Sequence, residues 1–324
     1  MPDRKNNTTL CGDAGQMKKK PLKDISASVR SRLLNLARMT GRDFQELTVR
    51  YTVERFLARL VASEHRERFI LKGAMLYIQW KLDDKRTTMD LDLLGYGNPD
   101  IENLRKIFQQ ICKTEIEDDG LLFDRESLTV TQIREESVYD GVRIIVRVTL
   151  GSMPIRLQVD VGFGDQVVPE PQSAEFPALL AEHGPTIRSY SPETVIAEKF
   201  NAMIVLGMAN SRMKDYFDIW MLSQNFTVEA NLLREAIIQT FSKRQTKLPQ
   251  KEPIALSKDF FNNESKLNQW KGFIRKQRRL DSAPSLADTI DVLRIFLLPI
   301  VSEINTGILT LETWSPERGW ILKQ

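Results

Sequence analysis

Between Phe69 and Leu94 the sequence sets a glycine at the end of a short apolar run, then two aspartates one residue apart in an alternating segment. No other feature constrains the fold as tightly. Phe69-Ile70-Leu71-Lys72 leads into Gly73, and Ala74 to Lys81 reads as a helix with Met75, Leu76, Ile78 and Trp80 as its apolar surface. A glycine turn that opens a helix leaves free backbone N–H groups where a phosphate can bind. Asp90-Leu91-Asp92-Leu93-Leu94 then alternates up to Gly95-Tyr96-Gly97-Asn98-Pro99, the pattern of a strand ending in a turn. Residues i and i+2 of a strand share a face, so Asp90 and Asp92 point one way and Leu91 and Leu93 the other. Two like charges on one face call for a cation. Two solvated acids would explain Asp-x-Asp alone; the glycine turn ahead of it favours half of a divalent-metal site.

A third acid falls in a matching place. Ile155, Leu157, Val159 and Val161 alternate against Arg156, Gln158 and Asp160 before Gly162 and Gly164, giving a strand over Pro154 to Val161 with Asp160 on its polar face. Were that strand to lie beside Asp90–Leu94, three carboxylates would converge in a site for Mg²⁺ or Mn²⁺, able to activate a hydroxyl for in-line displacement. An ordinary outward-facing acid is the competing reading. Leu128 to Val138 and Val142 to Leu150 flank Asp140-Gly141, a hairpin signal. Pro169 to Tyr190 reads as irregular. Ser191-Pro192-Glu193 starts a helix that runs to about Leu206, and Ser211 is positioned to cap another through Leu222.

Asp24 to about Ser63 is helical by spacing, Ile101 to Cys112 is a further helix, and Val228 to Gln324 is mostly helical, with a looser stretch over Thr246 to Glu264. Met1 to about Pro21 reads as a flexible basic arm. The resulting division is an arm over 1–21, a core with N-terminal helices over 22–225, and a helical C-terminal region over 226–324.

Composition removes several classes of chemistry. The two histidines, His65 and His183, lie far apart, which argues against a His/Cys metal cluster and a histidine-based nucleophilic mechanism. Any metal would be held by carboxylates, which suits Mg²⁺ or Mn²⁺. Cys11 and Cys112 give no disulfide framework, and no apolar run approaches membrane-spanning length, so a cytoplasmic setting is expected. A net charge of +3 does not by itself mark a nucleic-acid binder.

Lys199 lies beside the apolar face of the Pro192 helix and could reach a phosphate as a point charge. On the next helix Arg212 and Asp215 are spaced i, i+3, and Lys214 and Asp218 i, i+4, which by itself reads as a salt-bridged solvent face. Farther along, Lys271, Arg275, Lys276, Arg278 and Arg279 surround Trp270 and Phe273. This cluster is either a solvated helix face or a track for an RNA backbone.

Together the segments LKGAMLYIQW, RTTMDLDLLGYG, LQVDVGFGD and ETVIAEKFNAMIVLGMANSRMKDYFDIWML resemble the AbiEii/AbiGii toxin family of nucleotidyltransferase-fold proteins, over about residues 69 to 223; QWKGFIRK adds a weaker match. The resemblance implies an α+β, polymerase-β-like nucleotidyltransferase core, a mixed sheet flanked by helices. It implies that Asp90 and Asp92 bind metal, that Lys199 contacts a triphosphate, and that Arg212, Lys214, Asp215 and Asp218 form a functional segment with Asp215 catalytic. It further implies transfer of a nucleoside monophosphate from a nucleoside triphosphate (NTP), with tRNA 3′ ends as acceptors in some relatives, and an antitoxin partner. Protein hydroxyls as acceptors and a non-catalytic nucleotide-binding module are the alternatives. One departure stands out: the family often has Gly-Gly or Gly-Ser at the phosphate turn, where this chain has Gly73-Ala74 followed by Met75, leaving the phosphate contact to backbone N–H groups.

Overall fold

A computed structural model describes residues 24–82, 88–134, 140–277 and 283–323. The basic arm with Cys11, and Arg278 and Arg279 of the C-terminal cluster, lie outside the described residues.

The chain begins with α1 (Ile25–Thr40) and α2 (Phe44–Ala62). Asp24 and Asp43 cap them, their carboxylates accepting from the N–H groups of Ala27 and Glu46. There follow β1 (Phe69–Lys72), α3 (Met75–Gln79), β2 (Leu91–Gly95), α4 (Ile101–Lys113), β3 (Leu121–Arg134), β4 (Asp140–Leu150), β5 (Met153–Phe163), β6 (Gln172–Glu175) and β7 (Thr186–Ser189). These strands form one seven-stranded sheet in the order β3-β4-β5-β2-β1-β7-β6. β2/β5 and β1/β7 are parallel and the remaining pairs antiparallel, so the sheet is mixed.

The sheet has one dry face because its strands alternate. Val142, Ile144, Val146 and Val148 of β4 are buried, as are Leu157 and Val159 of β5. α4 turns Leu104, Ile107, Phe108 and Ile111 inward, and Phe108 stacks on Phe56 of α2 with ring centroids 5.8 Å apart.

The second half consists of α5 (Pro192–Leu206), α6 (Met213–Asn225), β8 (Val228–Glu229), α7 (Ala230–Lys243), α8 (Lys258–Phe261), α9 (Glu264–Lys276), α10 (Leu286–Thr306), β9 (Leu311–Ser315) and β10 (Gly319–Leu322). α7 lies on α5, where Phe200 meets Phe241 at 5.5 Å between ring centroids. No described helix is long and apolar enough to cross a membrane.

Several sequence expectations are corrected. Asp140-Gly141 is not the hairpin turn: both residues already belong to β4, opposite Arg134 and Ile133, and the connection falls on residues outside the described set. β3 begins at Leu121, where Asp124-Arg125-Glu126 hid the alternation. Pro169 to Tyr190 contributes two short strands, β6 and β7, paired along the sheet edge. Ser211 is not a cap: α6 starts at Met213, and the Asn210 side chain instead accepts from the Arg212 N–H at 2.8 Å. The C-terminal region is not all helical, since β9 and β10 pair with β8 in a second, three-stranded sheet.

Candidate active site

The glycine turn and the two acids meet through strand pairing. β1 and β2 run antiparallel, with Lys72 opposite Asp92, and β2 and β5 run parallel, with Asp92 opposite Asp160. Gly73, at φ +71°, brings its backbone under the Asp92 carboxylate: a Cβ at Gly73 would lie 2.0 Å from Asp92 Oδ2. Glycine is therefore required both by its left-handed conformation and by this approach. α3 is shorter than the sequence suggests and starts at Met75, with Ala74 ahead of it. Asp90 lies just before β2 and is exposed, whereas Asp92 is half-buried within the strand.

These residues line a cavity of about 610 Å³. Gly73, Ala74, Asp90, Asp92 and Asp160 form one wall, and Lys199, Arg212, Lys214 and Asp218 face them from α5 and α6. Burial pushes the Asp92 carboxyl up to about 6; the charges of Asp160 and Asp90 add to this, while Lys72 and Lys214 oppose it. Desolvation, and next the Asp160 charge, raise the Asp90 carboxyl as well. Burial thus disfavours the charged form of both carboxyls, a cost that a bound cation would offset, and hard carboxylate oxygens suit Mg²⁺ or Mn²⁺. Asp90 and Asp92 are the residues that fit such an ion. Asp160 stands beside them, but both its oxygens accept from the Arg143 guanidinium, at 2.8 and 2.7 Å. Among the described residues no three His, Cys, Asp or Glu side chains are gathered closely enough to hold an ion.

The α5–α6 cluster differs from a salt-bridged solvent face. Lys199 Nζ lies 2.8 Å from Asp215 Oδ1 and 2.8 Å from Asp218 Oδ2, and Arg212 Nε lies 2.9 Å from Asp215 Oδ2. Asp215 is fully buried (0% exposed) and is absent from the cavity lining; it sits behind Lys199. Burial acts to raise Asp215, but Lys199 and Arg212 outweigh it and hold the carboxyl below its ordinary value. Burial likewise acts to lower the Lys199 ammonium, and the two aspartates outweigh it, raising its pKa. A charged lysine is thereby fixed at the cavity wall. Asp218 also pairs with Lys199, because α5 packs close enough for Lys199 to reach both acids.

A second charged group was not anticipated. Lys72 pairs with Asp165 at 3.3 Å, and Arg244, just after α7, pairs with Asp165 at 3.1 Å and Glu198 at 3.5 Å. Lys72, Glu198 and Arg244 line the same cavity, Lys72 beside Asp92 across the β1–β2 pair. Lys72, Asp165 and Glu198 lie within or beside the quoted motifs, adjoining Gly73, Gly164 and Lys199. Arg244 carries no sequence signal. On α9, Lys271, Arg275 and Lys276 are exposed, Trp270 packs against Phe273 and Phe217, and none of them lines the cavity.

The family model described as "Nucleotidyl transferase AbiEii toxin, Type IV TA system" matches residues 55–292. Among solved structures the chain is similar to JHP933 from Helicobacter pylori, at 15% identity and a TM-score of 0.48, covering 82% of this chain and 95% of that one. It is also similar to an H. pylori protein provisionally named a nucleotidyltransferase, at 15% identity and a TM-score of 0.46, covering 82% and 99%. No curated protein matches.

Proposed function

The chain belongs to the AbiEii nucleotidyl transferase toxin family, and from that premise we propose that it transfers a nucleoside monophosphate from an NTP to the 3′ end of an RNA, with tRNA as the acceptor class. The observation that carries this reading is the strand register: β1 against β2 brings the Gly73 turn to Asp92, β2 against β5 sets Asp160 beside it, and these residues line one cavity with Asp90 and Lys199.

Asp90 and Asp92 would hold Mg²⁺ or Mn²⁺, which when bound supplies charge neutralisation at the phosphates. Lys199, kept charged by Asp215 and Asp218, faces that wall and binds the triphosphate; Arg212 and Lys214 add positive charge beside it. The Gly73-Ala74 backbone supplies phosphate contacts without a side-chain hydroxyl. The acceptor hydroxyl attacks the α-phosphorus, the bond from that phosphorus to the bridging oxygen breaks, and pyrophosphate leaves. Asp160, which accepts from Arg143 through both oxygens and keeps a free lone pair on Oδ1, takes the hydroxyl proton or would join Asp90 and Asp92 as a third ligand to the ion. Asp215, behind Lys199, acts as a positioning residue. The family description implies an antitoxin partner.

The test is incubation with each α-labelled NTP, Mg²⁺ and either total tRNA or lysate protein. Label on the RNA 3′ end supports the reading. Label on protein moves the acceptor to a protein hydroxyl, and no transfer at all leaves a nucleotide-binding module.

A further inference from the structure

The dry face of the sheet lies under α1, α2 and α4; on the other face of β3–β5, among the described residues, Gln158 is buried, Arg143, Ile145 and Asp160 are half-buried, and Arg147 and Arg156 are exposed. On β4 that face carries Arg143, Ile145 and Arg147, and on β5 Arg156, Gln158 and Asp160. Arg143 stands opposite Asp160 and pairs with it, whereas Arg147 stands directly opposite Arg156. Like charges facing each other across two strands, with Cβ atoms about 5 Å apart, destabilise a sheet. Among the described residues the offsets are few: the Asp90 carboxylate feels the Arg156 charge without pairing with it. Asp124 approaches Arg147 at 3.9 Å, between side chains 40% and 65% exposed respectively, and among the described residues no carboxylate forms an ion pair with Arg156. Both arginines are exposed, and Thr129 and Thr131 continue the polar face on β3.

Asp92, Asp160, Arg143 and the Arg147–Arg156 pair lie on one continuous surface that runs from the cavity wall outward. A repulsive arginine pair at the end of a path to the reacting centre fits a ligand that brings negative charge. Guanidinium groups recognise phosphate oxygens through two parallel hydrogen bonds. A protein partner would ask for aromatic or apolar anchors at the centre of the patch, whereas the centre of this face holds arginines and threonines with the half-buried Ile145, and its exposed apolar side chain, Leu122, lies toward the far end of the strands, opposite Thr149.

We propose that the arginine-bearing face of β3–β5, centred on Arg147 and Arg156, is the track on which the phosphate backbone of the acceptor RNA lies as its 3′ end enters the Asp90–Asp92 cavity. The proposal rests on the RNA-acceptor reading above, and the experiment separates the two. Binding of fluorescently labelled tRNA is measured by anisotropy over a range of salt concentrations, without NTP, for the parent, Arg147→Glu/Arg156→Glu and Arg147→Gln/Arg156→Gln. NTP binding and thermal unfolding are followed in parallel, and transfer to RNA is measured in the parent. The glutamine pair, which removes repulsion without adding charge, should fold at least as stably as the parent. Both variants should bind tRNA more weakly, by roughly tenfold or more for the reversal, with a log–log salt slope shallower by about 1.4 for two lost contacts. NTP affinity should change far less than tRNA affinity, and least in the glutamine pair, because Arg156 acts on Asp90 only through its charge. If the parent labels RNA while both variants keep its tRNA affinity and slope, the track is overturned and the transferase reading stands. If the parent neither binds nor labels tRNA, the RNA-acceptor reading fails and the track falls with it.

Discussion

Asp92 sits where a carboxylate has lost much of its water, and its behaviour with pH follows from that. Its pKa is raised from 3.8 to about 6 in the folded chain. Between about pH 4 and 6 the folded state therefore holds a proton that the unfolded state has released, so stability falls as pH rises through that window. The loss is complete above about pH 6 and amounts to about 3 kcal/mol at most, at 1.36 kcal/mol per pKa unit. Asp92→Asn should abolish transfer, flatten the pH dependence and, without metal, melt at or above the parent's temperature at pH 7. Added Mg²⁺ should raise the parent's melting temperature and leave that of Asp92→Asn unchanged; an equal rise in both would remove the ion from Asp92. Lys199 answers in the opposite sense. Lys199→Ala strands the buried Asp215 and Asp218 charges, and breaking such a pair costs about 3–5 kcal/mol. The expected result is a large drop in urea midpoint together with lost NTP affinity, whereas Lys199→Arg should recover part of both.

At the scale of elements, the site is a product of register. β1 against β2 sets Gly73 beneath Asp92, and β2 against β5 sets Asp160 beside it. Gly73→Ala should displace the Asp92 carboxylate, because a left-handed alanine costs about 1–2 kcal/mol before the collision is counted. Metal and nucleotide affinity, by calorimetry, should fall further than stability does. Unchanged Mg²⁺ affinity would show that the turn does not position Asp92. α5 and α6 act as a second unit: their packing brings Lys199 of α5 onto Asp215 and Asp218 of α6 in one buried cluster.

For the molecule as a whole, the C-terminal region belongs to the site's construction. Arg244, beyond α7, closes the Asp165 and Glu198 carboxylates at the cavity, while β8 and β9 tie Val228 to Trp314. A chain ending at 225 loses Arg244 and uncovers Phe200 and its neighbours on α5. It should be aggregated or loosely packed, with strong dye binding and poor near-UV dichroism; a cooperative unfolding transition in that fragment would show the core to be self-sufficient. Arg244→Ala in the full chain should lower NTP affinity, since Asp165 and Glu198 then draw Lys72 away from the cavity.

The local code determined much of this protein on its own. Period-two alternation marked β2, β4 and β5 and put Asp92 and Asp160 on polar faces, although β2 starts at Leu91 and leaves Asp90 just ahead of it, and Ser191-Pro192 fixed the start of α5, because these signals need only neighbouring residues. Strand pairing, by contrast, joins residues far apart in sequence, and only the tertiary structure decided it. It placed Asp160 beside Asp92, locked Asp160 onto Arg143, buried Asp215 behind Lys199 and carried Arg244 across to Asp165. It also formed β9 and β10 at the end of a chain whose pattern reads as helical. Asp215 shows the difference most plainly: its i, i+3 spacing to Arg212 was legible in the sequence, but its burial depended on where α5 packs, and burial turned an apparent surface acid into the support of a charged lysine.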